Sequence, residues 1–129
     1  MNASLKLYLA ATYHKKPTPR SGGSVIGCAT INGTYIEYRM AQPFGCASLV
    51  LAELNTIFLA LHTIDPIYVD STIEVIHDCQ SVKKILEKTT TGDYRAKPIQ
   101  NSDLVKQIRD LVAKFPDLTI RYTTELDAN

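Results

Sequence analysis

The chain has 129 residues, of which 45% are hydrophobic and 21% are charged, a composition typical of one folded domain and not of a disordered segment. Fourteen Lys and Arg residues against thirteen Asp and Glu residues give a net charge of +1, which restricts any nucleic-acid contact to local patches. The spacing of Cys28, Cys46 and Cys79 fits neither a disulfide framework nor a zinc site, and no segment reaches the roughly 18 apolar residues of a membrane span. We therefore expect a cytoplasmic or otherwise intracellular protein with no membrane contact.

The first part of the chain predicts three antiparallel strands. Apolar side chains occupy every second position of residues 5–11, which is the period of a strand. Residues 14–23 are rich in proline and glycine and predict a loop. Two β-prone segments, 24–31 and 34–40, are joined by Asn32-Gly33, a pair that favours the two positive-φ positions of a type I′ turn.

The next segment, residues 48–63, is almost entirely apolar, which predicts a buried helix. Ser48 is a suitable N-cap for it, and Asp65-Pro66 predicts its end. The elements that follow are a strand at 72–77, a helix at 79–88, a polar loop at 89–101, a helix at 102–114 and a strand at 118–122. Three antiparallel strands followed by such crossovers predict an α/β fold with a mixed sheet and helices on its faces.

Four short motifs occur in the same order as in the ribonuclease H family of the bacterial single-domain type, which the chain resembles from residue 5 to about residue 124. Ala10-Ala11-Thr12 and the loop Pro17–Gly23 stand where that family has Asp-Gly/Ala-Ser and Asn-Pro-Gly-Pro-Gly-Gly. The other matches are Glu53-Leu54 with the family's Glu-Leu-x-Ala, His77–Val82 with Thr-Asp-Ser-Gln-Tyr-Val, and Lys97–Leu104 with Lys-Pro-Val-Lys-Asn-Val-Asp-Leu.

The resemblance, together with the Asn-Gly hairpin and the apolar helix, predicts a five-stranded ribonuclease H-like sheet in the order 3-2-1-4-5. It also implies that residues 1–129 form a single domain. The usual C-terminal helix of the family is expected to be missing, because the chain ends at Asn129 soon after the last predicted strand.

The resemblance implies two-metal hydrolysis of a phosphodiester, in which four carboxylates hold Mg²⁺ or Mn²⁺. Glu53 and Asp78 match two of these ligands and are the candidate catalytic and metal residues. Ala10 occupies the position of the first-strand aspartate and has no ligand atom. The fourth carboxylate of the family lies on the C-terminal helix, and Glu125 and Asp127 are the acids nearest to that position in this sequence. We expect weak metal binding and little catalysis.

Candidate nucleic-acid contacts come from the resemblance and from local charge. Gln80 matches the family glutamine that touches an RNA–DNA hybrid in its minor groove. The basic candidates are Lys15, Lys16 and Arg20 in the first predicted loop, and Lys83 and Lys84 in the helix that follows Asp78.

Three functions fit these residues. The first is a pseudo-nuclease that binds an RNA–DNA hybrid or another nucleic acid without efficient cleavage. The second is a hybrid-specific endoribonuclease, a hydrolase seen in a form whose first acid has been knocked out. Ala10 itself is either an engineered replacement or a natural loss. The third is a domain that keeps the fold and binds only a protein partner.

Overall fold

The computed structural model describes residues 3–14, 20–44, 48–91 and 102–124. Its strands are β1 (Ala3–His14), β2 (Arg20–Ile31), β3 (Thr34–Phe44), β4 (Thr72–His77) and β5 (Leu118–Tyr122). Its helices are α1 (Leu49–His62), α2 (Gln80–Thr91) and α3 (Ser102–Val112), with a short 3₁₀ helix at Pro66–Tyr68.

The five strands form one mixed sheet in the order β3-β2-β1-β4-β5, so the predicted order is confirmed. The pairs β1–β2 and β2–β3 are antiparallel, whereas β1–β4 and β4–β5 are parallel. Parallel neighbours need a crossover, and the helices provide it. The α/β fold class is therefore as predicted.

The hairpin between β2 and β3 turns at Asn32 and Gly33, which have φ angles of 51° and 81°. Both angles lie in the left-handed region that asparagine and glycine tolerate best, as a type I′ turn requires. Ile31 and Thr34 are paired on either side of this turn. The long β2–β3 ladder therefore begins directly at the two-residue turn.

The predicted loop at residues 14–23 is too long, because β1 continues to His14 and β2 already begins at Arg20. The glycines that predicted a loop are instead part of an antiparallel ladder. At Gly23 a Cβ atom would collide with the Thr56 hydroxyl of α1 and come within 2.8 Å of the Phe44 ring. A glycine is therefore needed there because α1 approaches β2 closely.

Helix α1 lies at the centre of the core, as its apolar sequence predicted. The Ser48 hydroxyl caps its N-terminus by accepting a hydrogen bond of 3.2 Å from the Leu51 amide. The helix packs on β1 and β2 with one side and contacts α2 and α3 with others. The core residues that surround its Leu54, Ile57 and Leu61 include Leu7, Leu9, Val25, Val75, Val82 and Ile108.

All three helices contribute to one core cluster on one face of the sheet. On β1 the alternate side chains Lys6, Ala10 and Thr12 point to the other face and are exposed, and no described helix covers them. The predicted helix at 79–88 differs from α2 by one residue at its start and three at its end, whereas the predicted helix at 102–114 starts with α3 and ends two residues beyond it. None of the described helices combines the length and the hydrophobicity that a membrane span requires.

Candidate functional site

The parallel pairing of β1 with β4 puts Ala10 and Asp78 at the same level of the sheet. Leu7 pairs with Val75 and Tyr8 with Ile76, and the same register continued by two residues leads to Ala10 and Asp78. Asp78 directly follows the last residue of β4. By this extended register, Ala10, which the resemblance assigns to the first acid, and Asp78, assigned to the second, fall at the same level at the carboxyl end of β4.

Glu53 approaches this point from α1 and is only 1% exposed. Its Oε1 atom has no hydrogen-bond partner among the described residues. Burial raises the pKa of Glu53, and repulsion by Asp78 raises it further, to about 7. The two predicted site acids are thus near enough for the charge of one to act on the other.

The Cys79 thiol belongs to the same cluster. Its burial raises its pKa, and the charges of Glu53 and Asp78 raise it as well, although hydrogen bonds from the Val82 and Ser81 backbone act in the opposite direction. A thiol with a raised pKa stays protonated near neutral pH and is a poor nucleophile. Cys79 therefore has the character of a packing residue. Cys28 is also a free thiol, and Cys46 lies outside the described residues.

His77 is a core residue that organises the turn after β4. It is 1% exposed, and its burial lowers its pKa to about 4, so the ring is neutral at physiological pH. The Cys79 amide donates a hydrogen bond of 3.3 Å to its Nδ1 atom. Its carbonyl accepts one of 2.9 Å from the Thr123 amide, just beyond β5. These contacts hold the backbone on either side of Asp78.

Tyr122 is a site neighbour that the sequence indicated only as part of a strand. Its ring lies 5.8 Å from that of His77 at a tilted angle, and Lys83 Nζ lies 5.5 Å from the centre of its ring. A cation above an aromatic face is attracted to it. Tyr122 thus orients one of the predicted basic residues near the end of β4. Neither the alternation of β5 nor a motif could have indicated this cross-element contact.

The other predicted contacts divide into two groups. Gln80, Lys83 and Lys84 are exposed in the first turns of α2, immediately after Asp78. Arg20 is the first residue of β2, paired with His14 and four positions along the ladder from the level of Ala10. Lys15 and Lys16 lie outside the described residues, as do Glu125 and Asp127.

A shallow depression of about 530 Å³ opens beside Ala10 at the β1–β2–β3 end of the sheet. Its lining consists mostly of small residues, with more apolar than polar surface, and includes Ala10, Thr12, Ser24, Ala41 and Gln42. The position of a first-strand acid is therefore accessible to solvent, and the Thr12 and Ser24 hydroxyls and the Gln42 amide are among its neighbours.

At the level of sequence, no family model and no curated protein matches the chain. Solved structures are similar to it over nearly its whole length. The ribonuclease H domain of prototype foamy virus has a TM-score of 0.70 and 19% identity, and the match covers 96% of this chain and 81% of that one. Ribonuclease H1 of Halobacterium salinarum NRC-1 has a TM-score of 0.65 and 20% identity, with 93% and 85% of the two chains covered.

A third similar structure is LC11 ribonuclease H1, isolated from compost, in complex with an RNA/DNA hybrid. Its TM-score is 0.67 at 17% identity, and the match covers 93% of this chain and 85% of that one. The chain has the ribonuclease H-like fold. These three proteins share its topology although they are at most 20% identical to it in sequence. Short motifs and the order of elements had predicted this topology.

The ribonuclease H-like fold raises the question of whether the residues present fit two divalent ions. Glu53 and Asp78 offer carboxylate oxygens, and the unpartnered Oε1 of Glu53 is a suitable donor. Ala10 offers only a methyl group at the adjoining position. Among the described residues no three His, Cys, Asp or Glu side chains converge in a way that could hold a metal ion. These residues do not fit a two-metal centre, which needs several carboxylates between the ions.

Proposed function

We propose that the chain is a nucleic-acid-binding domain that engages RNA–DNA hybrid through the shape and backbone of the duplex and does not cleave it efficiently. The observation that carries the proposal is that Ala10 lies at the level of Asp78 in the extended β1–β4 register. The chain has the ribonuclease H-like fold, but the methyl group of Ala10 occupies the position at which the resemblance expects an acid shared by both metal ions. The chain can therefore bind a hybrid while it lacks an acid that efficient hydrolysis requires.

Binding is supported by the polar side chains around the end of β4. Gln80, Lys83 and Lys84 are exposed next to Asp78, and Tyr122 holds Lys83 near the sheet. Duplexes of A-like form are recognised mainly through phosphates and 2′-hydroxyl groups across a wide minor groove, which suits a small basic cluster. The similar LC11 ribonuclease H1 was solved with such a hybrid bound.

Weak hydrolysis is supported by the chemistry of the acids. Two carboxylates can attract one Mg²⁺ or Mn²⁺ ion weakly but cannot hold two ions in register. Glu53, with a pKa raised to about 7, is also partly protonated near neutral pH, so a cation must compete with a proton for it. Each loss of about 1.4 kcal/mol of transition-state stabilisation slows a reaction tenfold.

A second function, hybrid-specific hydrolysis, is favoured by one observation. A buried carboxylate without a hydrogen-bond partner is destabilising, and Glu53 has such an oxygen and lies near enough to Asp78 to be affected by its charge. An acid of this kind is typical of a site that once held, or is built to hold, a cation. The two functions differ in a single measurable property, cleavage of the RNA strand.

Binding is tested by titrating a fluorescently labelled RNA–DNA hybrid and following its anisotropy. The double variant K83A/K84A should bind about tenfold or more weakly than the unaltered chain, with a smaller dependence of affinity on salt because phosphate contacts are lost. The matched control is K106A/K114A, which removes the same charge from exposed positions in and after α3. Equal weakening by both pairs would show that only total charge matters, and absence of binding by the unaltered chain would refute the proposal.

A further inference from the structure

The strand β3 forms one edge of the sheet that the structure describes. It has eleven residues, Thr34–Phe44, and nearly all of them are exposed. Within the described residues it pairs only with β2. Three large apolar side chains on it are accessible to solvent, with exposed fractions of 61% for Tyr35, 46% for Ile36 and 36% for Tyr38. An exposed edge of this length is a template for pairing with another strand.

The hairpin determines which residues of β3 direct their backbone groups outward. Ile31 and Thr34 flank the two-residue turn and form its narrow hydrogen-bonded pair. The direction alternates along the strand, so Tyr35, Glu37, Arg39 and Ala41 direct their N–H and C=O groups away from β2. Pro43 also falls on this outward series, which is where an edge strand tolerates a residue without an N–H.

The charges of this outward series are self-complementary. If a second β3 lies antiparallel with the two-fold axis at Tyr38, Glu37 of each copy stands opposite Arg39 of the other. The same register puts Ile36 opposite Met40 and Tyr35 opposite Ala41. Registers centred on Glu37 or on Arg39 would instead put like charges opposite each other, which is destabilising. Tyr38 is therefore the centre that the charges favour.

The local structure is compatible with this register. The Tyr38 ring lies against Gly27 of β2, where a Cβ atom would overlap it, and so leans away from the outer edge. Arg39 and Glu37 of one chain are 3.5 Å apart, but their side chains are 74% and 41% exposed, so this ion pair is weak and easily exchanged. Pro43 lies beyond the paired segment and ends it without interrupting it.

We propose that β3 is a homodimerisation edge, where two copies of the chain pair antiparallel about Tyr38 and join their sheets. This interaction is separate from nucleic-acid binding and does not depend on it. The pairing places Glu37 and Arg39 in hydrogen-bonded positions of the new ladder. The Ile36, Tyr38 and Met40 side chains of both copies then lie on one face, the one that α1 covers.

Reversal of the Glu37 and Arg39 charges tests the proposed dimer. Dimerisation is measured by sedimentation velocity over a range of protein concentrations. E37R and R39E should each raise the dimer dissociation constant about tenfold or more, because both symmetric pairs become repulsive. The double variant E37R/R39E reverses both signs and should restore a dissociation constant close to that of the unaltered chain. A monomer at all concentrations, or dimers insensitive to the single reversals, would overturn the proposal. So would failure of the double variant to dimerise while its circular dichroism is unchanged.

The register has an independent test by disulfide trapping. Tyr38→Cys should give a covalent dimer on oxidation, because residues on the axis are about 4.5 Å apart between Cα atoms in a non-hydrogen-bonded pair. Thr34→Cys is the control, since its two copies would be roughly 25 Å apart along the paired strands. The unaltered chain controls for the native cysteines. Trapping by Thr34→Cys instead of Tyr38→Cys would contradict the register.

Discussion

Glu53 and His77 are two buried titratable residues whose pKa values move in opposite directions. Burial and the Asp78 charge raise the pKa of Glu53 from 4.5 to about 7, and burial lowers the pKa of His77 from 6.5 to about 4. Stability linked to Glu53 is fully present below its unfolded pKa and is lost as the pH rises through about 7. Stability linked to His77 is present above 6.5 and is lost as the pH falls towards about 4.

The two effects should largely offset each other in the unaltered chain between pH 4.5 and 6.5. Glu53→Gln removes the ionisable group, so the free energy of unfolding of the variant no longer falls as the pH rises through 7. The difference in this free energy between the variant and the unaltered chain should therefore shift in favour of the variant, by on the order of 3 kcal/mol between low pH and pH 8. Denaturant unfolding at a series of pH values measures this difference. Asp110→Asn is the control, at an exposed position of α3. A difference between Glu53→Gln and the unaltered chain that does not change with pH would refute the buried-acid interpretation.

At the scale of elements, most of the fold could be predicted from local patterns. The bounds of β4 and β5 agree with the predicted segments 72–77 and 118–122, and the predicted helix at 48–63 comprises α1 with its Ser48 and Thr63 caps. The start of β2 could not be predicted in this way. Its glycines resemble a loop in sequence, and only the approach of α1 shows why the strand needs a glycine at Gly23.

Gly23→Ala tests this close approach of α1 to β2. The new methyl group would collide with the Thr56 hydroxyl and crowd the Phe44 ring, so the free energy of unfolding should fall by about 1–3 kcal/mol. Gly22→Ala is the matched control, because its methyl group would meet nothing nearer than the Gln42 carbonyl at 3.4 Å. Thermal or denaturant unfolding measures both. Equal effects of the two variants would show that strand glycines matter here through backbone entropy alone.

At the scale of the whole molecule, the sequence indicated which residues form the candidate site but not their surroundings. The motifs singled out Glu53 and Asp78, and the structure brings these acids into electrostatic contact. The assignment of catalytic and metal roles to them stays a prediction. Burial of Glu53, the neutral His77 and the contact of Lys83 with Tyr122 depend on tertiary packing. No local pattern carries that information, because the residues come from α1, α2, β4 and β5.

Ala10 is either an engineered replacement or a natural loss, and the cleavage activity of Ala10→Asp distinguishes the two. If the alanine replaced an acid through engineering, Ala10→Asp should restore cleavage of an RNA–DNA hybrid in Mg²⁺ or Mn²⁺, because it returns the ligand beside Asp78. If the acid was lost naturally and the remaining ligands have also gone, the variant should stay inactive. Ala10→Asn is the control, because it has a similar size without the charge.

Binding of an RNA–DNA hybrid without cleavage is measured most directly on the unaltered protein. Uniformly labelled RNA in an RNA–DNA hybrid is incubated with the chain and Mg²⁺ or Mn²⁺, and the same mixture is analysed on native and denaturing gels. We expect a shifted complex on the native gel and intact RNA on the denaturing gel. Robust cleavage that is abolished by Asp78→Asn would contradict binding without hydrolysis, because it would show that the metal site is complete without an acid at position 10.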